Sequence, residues 1–134
     1  MARLILDANV LIALVDRTDI HHQWGFGFAR ETADYAWALS ALTFAEVLVQ
    51  PTRANRENSM LKAVESLRIE TVDFMAANAE PVARIRATTG LKIPDAVVLQ
   101  TAISEKAALA TTDKQLAKHG RALGLTVFSP NFRD

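Results

Sequence analysis

Short apolar runs without polar alternation recur along this chain, and segments of helical pattern separate them. "RLIL" at 3–6, "YAWAL" at 35–39, "IETVD" at 69–73, "ALATT" at 108–112 and "LTVFS" at 125–129 read as strands. A strand with one wet face alternates polar and apolar residues. These do not, so both of their faces are expected to be covered. Helices are predicted over 9–16, 20–33, 41–50, 55–67, 74–89, 93–107 and 114–119. "PTRAN" separates the third from the fourth, Gly90 ends the fifth, and Pro94 lies in the first turn of the sixth. Strands alternating with helices predict an α/β fold, with a mostly parallel sheet covered on both sides. In such sheets a site forms at the carboxyl ends of the strands.

Composition narrows the classes. Half of the 134 residues are hydrophobic and 22% are charged, which excludes a disordered chain. No repeat and no linker rich in Pro, Gly or Ser divides the sequence, so residues 1–134 are expected to form one domain. There is no cysteine, which excludes disulfides and thiolate metal sites. The apolar run in "MARLILDANV" is short, is broken by Asp7, and makes a poor signal peptide. No window approaches the ~20 apolar residues of a membrane helix. A cytoplasmic protein without membrane partners is the expectation. Fifteen basic residues balance fifteen acidic ones. Any contact with nucleic acid must therefore come from a local patch.

Four acids stand apart from the others. Asp7 is the only charge in residues 4–15, Glu46 in 35–52 and Asp95 in 93–104, and Asp113 ends the uncharged "AALATT". Acids such as Glu31, Asp34, Glu57, Glu65 and Glu80 lie instead on polar helical faces and read as solvated. Each lone acid has an ordinary explanation. Asp7 and Asp113 fit helix N-caps. Glu46 fits a capping box with Thr43, since "TFAE" has the spacing. Asp95 suits the dipole in a helix's first turn. Taken singly, each cap is the better reading. Taken together, all four fall at a strand's end or early in a helix, and Asp7 and Asp113 point to one sheet edge. Carboxylates gathered there would raise one another's pKa, and a hard divalent cation relieves that repulsion.

"LILDANVLIAL", "SALTFAEVL", "LKIPDAVVLQTA" and "ALATTD", in this order, resemble the PIN-domain ribonucleases, and among them the VapC-type toxins of toxin–antitoxin pairs. The resemblance runs nearly end to end. It implies a three-layer α/β/α sandwich around a parallel sheet of about five strands, and an endoribonuclease dependent on Mg²⁺ or Mn²⁺. It makes Asp7, Glu46, Asp95 and Asp113 the catalytic acids, with Asp7, Asp95 and Asp113 as the main metal ligands. It places Asn9 as the polar neighbour of Asp7. It gives Thr112 a supporting hydroxyl that orients a water or holds a carboxylate. Some relatives carry a further acid after the "TTD" position. Here Gln115, Leu116 and Ala117 follow Lys114, so one tightly held metal and a weaker second are expected. The resemblance also implies a separately encoded antitoxin and a homodimer.

Other residues bear on the RNA substrate and the partner. Arg53, Arg56, Lys92 and Lys114 flank the acids and are weak candidates for phosphate contacts; each alone reads as a surface charge. Trp37 reads as core, while Trp24 is open between core and base stacking. His21 and His22 diverge on a helix and read as capping or surface residues; His119 reads as a helix end. Segments 10–15 and 20–28, with Phe26 and Phe28, offer a groove for the antitoxin, a dimer face, or core. Three rivals to the RNase reading remain. A phosphatase of the haloacid dehalogenase type needs a second Asp where Asn9 stands. A DNA-directed nuclease would use the same chemistry. A degenerate, non-catalytic domain would bind RNA or protein without needing the acids.

Overall fold

The computed structural model describes residues 1–131. The elements alternate as the apolar pattern requires. β1 (Arg3–Leu6) leads to α1 (Ala8–Val15) and α2 (His22–Glu31), and β2 (Ala36–Ser40) to α3 (Ala41–Arg53) and α4 (Glu57–Ser66). β3 (Glu70–Val72) is followed by a 3₁₀ turn (Ala76–Asn78), α5 (Ala79–Thr89) and α6 (Ile93–Ser104). β4 (Ala108–Ala110), α7 (Lys114–Ala122) and β5 (Val127–Phe128) complete the order. The five strands form one parallel sheet in the order β3-β2-β1-β4-β5.

β1 explains why the strands lack polar alternation. Leu4 and Leu6 turn to one face, where Val10, Leu11, Phe28, Leu39 and Val47 pack. Ile5 turns to the other, against Val98, Leu99, Leu109 and Leu116. Leu4, Ile5 and Leu6 are fully buried. Each such burial is worth about 1.5–3 kcal/mol, so neither face of the central strand tolerates a polar residue. The layers are thus α1–α4, the sheet, and α5–α7, the three-layer α/β fold expected from the sequence.

Two boundaries differ from the sequence reading. The break between α3 and α4 starts late in "PTRAN", at 54–56, because α3 runs through Pro51 to Arg53. Pro51 lies in the last turns of α3, and its carbonyl accepts the Arg56 N–H at 2.7 Å. The chain reverses one turn later, where Asn55 adopts a left-handed φ of 56°, which Asn tolerates better than most residues. α7 extends past His119 to Ala122 because Gly120 sits inside it. A Cβ on Gly120 would lie 2.9 Å from Leu109 Cδ2 and 3.0 Å from Val127 Cγ2, so glycine lets α7 settle on β4 and β5. Gly120→Ala is expected to destabilise the fold by about 1 kcal/mol, the overpacking cost outweighing the gain in helix propensity. Urea denaturation measures this, and an unchanged midpoint would refute the packing role.

The aromatic residues and histidines also find their places. Trp24 stacks on Phe28 at 5.2 Å, and Phe28 on Trp37 at 5.6 Å. Trp24 therefore belongs to the aromatic cluster over the sheet. Phe28 is buried within it, so segments 10–15 and 20–28 do not pair as a groove lined by both phenylalanines; Phe26 alone is exposed. His22 Nδ1 lies 2.7 Å from the Ala13 carbonyl and ties α2 to α1. Glu57 is not fully solvated as its helical face suggested. Its Oε2 is buried with no hydrogen-bond partner among the described residues. Among the described residues no helix is long and apolar enough to cross a membrane.

Candidate functional site

The sheet order creates a crevice. The chain steps outward from β1 to β2 and β3, then returns across the sheet to β4 on the other side of β1. Helices after β1 and β4 leave in opposite senses there, which opens a cleft at the strands' carboxyl ends. Asp7 is the residue that follows β1. The register pairs Leu6 with Ala110, so one step further Asp7 stands beside Thr111. The Asp7 N–H donates to the Ala110 carbonyl at 2.9 Å, which fixes this alignment.

Both Asp7 oxygens are held. Oδ1 accepts the Ala8 N–H at 2.7 Å, and Oδ2 accepts the Thr111 hydroxyl at 2.7 Å. Thr111 Oγ1 also accepts the Asp113 N–H at 2.9 Å. One buried hydroxyl therefore joins two of the acids. Asp113 Oδ1 in turn accepts the Leu116 N–H at 2.8 Å and caps α7. The capping readings of Asp7 and Asp113 are both correct, and capping is also what orients these carboxylates. The carboxylate-holding hydroxyl given to Thr112 belongs instead to Thr111. The two were not separable in the sequence, because "TT" shows no register.

Glu46 has no capping role. The N-cap of α3 is Ser40, whose hydroxyl accepts the Leu42 N–H at 3.2 Å. Glu46 lies in the second turn, beyond the reach of a capping box, and is exposed at the lip of the cleft. Asp95 sits in the first turn of α6, half-buried, and α6 packs on both α3 and β1.

The electrostatics show that the acids face one another. Burial pushes Asp7 up from its ordinary 3.8 to about 6. The Thr111 and Ala8 hydrogen bonds pull it down, while Asp95 and Glu46 push it further up. Glu46 is raised first by burial and then by Asp95. Asp95 is raised by burial and by Asp113, with Lys92 opposing. Asp7, Glu46 and Asp95 are thus each raised by another of the four lone acids. Among the described residues no three carboxylates or histidines are gathered closely enough to hold an ion as they stand. The donors are all anionic oxygens, which is the chemistry Mg²⁺ and Mn²⁺ select. The arrangement is an open, acidic cleft with one rigid carboxylate at its base.

The remaining predicted residues divide. Asn9 is exposed in the first turn of α1, and Thr112 is half-buried. Lys92 precedes α6 and is exposed beside Asp95, and Lys114 opens α7, also exposed. Arg56 lines a groove of about 760 Å³ that has Glu46 in its wall. Arg53, at the end of α3, is exposed and is not part of that groove. Sequence reasoning missed Thr111 and Arg17, which also lines the groove.

A model of the PIN domain family matches residues 4–122. No protein of curated description matches the chain. Solved structures share its fold. A toxin–antitoxin complex from Klebsiella pneumoniae is 24% identical, with a TM-score of 0.69 over 85% of this chain and 90% of that one. VapBC2 from Rickettsia felis, bound to a promoter DNA fragment, is 19% identical, with a TM-score of 0.70 over 94% of this chain and 97% of that one. The sarcin-ricin-loop-cleaving toxin VapC20 of Mycobacterium tuberculosis is 13% identical, with a TM-score of 0.70 over 87% of this chain and 95% of that one. Since the family match runs from β1 to the end of α7 and takes in all four acids of the cleft, the chain belongs to the PIN domain family.

Proposed function

We propose that residues 1–134 act as one nuclease domain that hydrolyses RNA phosphodiester bonds with Mg²⁺ or Mn²⁺, as the toxin of a type II toxin–antitoxin pair. The observation that carries this reading is a buried carboxylate, Asp7, pushed up further by Asp95 and Glu46 and joined to Asp113 through the Thr111 hydroxyl. Such crowding costs stability, and perturbed carboxylates gathered in a cleft mark sites that bind or move charge. Solved PIN structures include toxin–antitoxin complexes and a toxin that cleaves the sarcin-ricin loop, which supports RNA as substrate and an antitoxin as partner.

Asp7, Asp95 and Asp113 hold the cation in this reading. When bound, the cation polarises the scissile phosphate and lowers the pKa of water. The chain supplies the rest. Asp7 is already pinned at both oxygens, so little ordering entropy remains to be lost when the cation binds. Asp113 keeps one oxygen for its cap and offers the other. Glu46, exposed and with a raised pKa, would accept the proton of the attacking water or help hold the cation. Asn9 flanks Asp7 with a neutral polar group. Lys92 and Lys114 offset the charge an incoming phosphate meets. The active species is a cytoplasmic homodimer, whose mass in solution sedimentation equilibrium measures.

The test is binding and cleavage together. Mn²⁺ titrated calorimetrically into the wild-type chain at pH 7.5 should bind, and single-stranded RNA should be cut only when the cation is present. Asp7 must lose its proton to act as a ligand. From Asp7 alone, affinity should therefore fall about tenfold between about pH 7.5 and 5. No heat of binding and no cleavage at pH 7.5 would overturn the reading.

A further inference from the structure

α6 carries one residue that the packing around it does not explain. From Ala96 to Ala102 the helix is buried, with α5 and α7 both packed on it. Two residues in that stretch are polar. Thr101 donates its hydroxyl to the Val97 carbonyl at 2.7 Å. Gln100 is only 6% exposed, yet its side-chain amide makes no hydrogen bond among the described residues. Among those residues Glu57 Oε2 is the one side-chain atom both unpartnered and sealed from solvent, so the Gln100 amide is not sealed. It opens onto a groove of about 560 Å³ where α5, α6 and α7 meet. Ile85, Leu99, Ile103 and Leu123 give that groove apolar walls. Leucine in place of Gln100 would fill the same space without setting an unpaired amide among them. Local rules of this kind are broken where a site binds something.

We infer that this groove binds a free nucleoside, with the edge of the base on Gln100 and its face on the apolar walls. The groove is apart from the acidic cleft, since no carboxylate lines it, and the inference does not depend on the nuclease reading. The polar groups select the ligand. A glutamine amide presents a donor and an acceptor side by side, the complement of a nucleobase edge, and pairs with adenine in this way. The face of the ring packs on aliphatic side chains as water leaves both. His119 also lines the groove, and its imidazole has no hydrogen-bond partner among the described residues. It offers a partner to a ribose hydroxyl. The Thr88 and Thr89 hydroxyls already donate to the Arg84 and Ile85 carbonyls, at 2.9 and 2.6 Å, and make no further polar demand. Charge favours a neutral ligand. Arg84 is the only lysine or arginine lining the groove, and Glu80 pairs with it from one turn away. A polynucleotide needs cations along its phosphates and finds none free there. The volume lies within the range of pockets that enclose small molecules.

Adenosine titrated into the full isotope-labelled chain and followed by NMR tests this, with EDTA present so that no cation occupies the acidic cleft. Amide resonances of α5, α6 and α7 around the groove should shift, and those of Asp7 and Glu46 should not. Ribose alone should shift nothing. Gln100→Leu should weaken adenosine binding by about tenfold or more, the usual loss of a two-bond contact to a base edge. Without ligand the same variant should melt higher than the wild type, because the unpaired amide is gone. A merely structural glutamine would instead lower the melting point when replaced. Ala122→Trp, at an exposed position of α7 that lines the groove, should fill it and abolish binding with the core untouched. Adenosine bound equally well by the wild type and Gln100→Leu would overturn the inference. So would shifts confined to the acidic cleft, or no shifts at millimolar adenosine. Displacement of adenosine by short single-stranded RNA at a lower concentration would overturn it in favour of a base within a polymer.

Discussion

Asp7→Asn is expected to abolish RNA cleavage and, without divalent cation at pH 7.5, to make the fold more stable. The loss of activity follows from removing the one cleft carboxylate that is both buried and pinned at both oxygens. Metal-ion catalysis supplies several kcal/mol of transition-state stabilisation, so the loss should reach about 10³-fold or more. The gain in stability follows from the raised pKa. Asp7 titrates at about 6 when folded and near 3.8 when unfolded. Between these values the folded state binds more protons, so stability falls as pH rises from about 4 through about 6, and the cost persists above. With about 1.4 kcal/mol for each pH unit between the two values, the wild type gives up about 3 kcal/mol at pH 7.5. Asparagine escapes that cost but loses part of the Ala8 and Thr111 bonding, a penalty of about 1 kcal/mol. The net gain should be about 1–2 kcal/mol at pH 7.5 and should vanish near pH 4. Saturating Mg²⁺ should reverse the order, because only the wild type gains ligand stabilisation. Thermal melts at pH 4 and 7.5, with and without Mg²⁺, decide it. A variant less stable than wild type at pH 7.5 without cation would show that Asp7 is a structural cap and nothing more.

Thr111→Val should be the most damaging change outside the four acids. Valine keeps the shape and leaves two groups without their partner, the Asp7 Oδ2 and the Asp113 N–H. An unsatisfied buried polar group costs about 1–3 kcal/mol, and more where it is charged. Stability should therefore fall by about 2–4 kcal/mol. Affinity for Mn²⁺ should fall about 10–100-fold, the usual result of removing the partner of a ligand. Thr111→Ser should restore most of the affinity, since the hydroxyl alone carries the bridge. Thr112→Val, one residue away, should change Mn²⁺ affinity little. Calorimetry on the three variants separates positioning from folding. Equal losses of Mn²⁺ affinity in Thr111→Val and Thr112→Val would refute the bridge.

The same contrast marks the limit of what a one-dimensional reading reaches. The parallel sheet was legible because burial on both faces is a local pattern: Leu4, Ile5 and Leu6 stand in a row with no polar residue between them. The four acids were legible because each interrupts a long uncharged run. Both signals depend only on near neighbours in the chain. The end of α3 lies three residues later than Pro51 suggests, because the stop within "PTRAN" is the left-handed Asn55 and not the proline. The solvated reading of Glu57 failed because helical periodicity does not reveal what lies over a helix's first turn.

The meeting of the acids was decided by tertiary structure. Asp7 and Thr111 are 104 residues apart, and only the register of β1 against β4 sets them side by side. A shift of one residue would have offered Asp7 the other threonine of "TT". Glu46 and Asp95 reach the same cleft because α3 packs on α6, a contact that no periodicity encodes. Arg17 joined Arg56 for the same reason, since two turns far apart in the chain line one groove. The sequence by itself determined which side chains could bear charge in an apolar chain and which segments would be strands. Register and packing decided which of those charges meet, because both are set by long-range contacts that leave no mark on a residue's immediate neighbours.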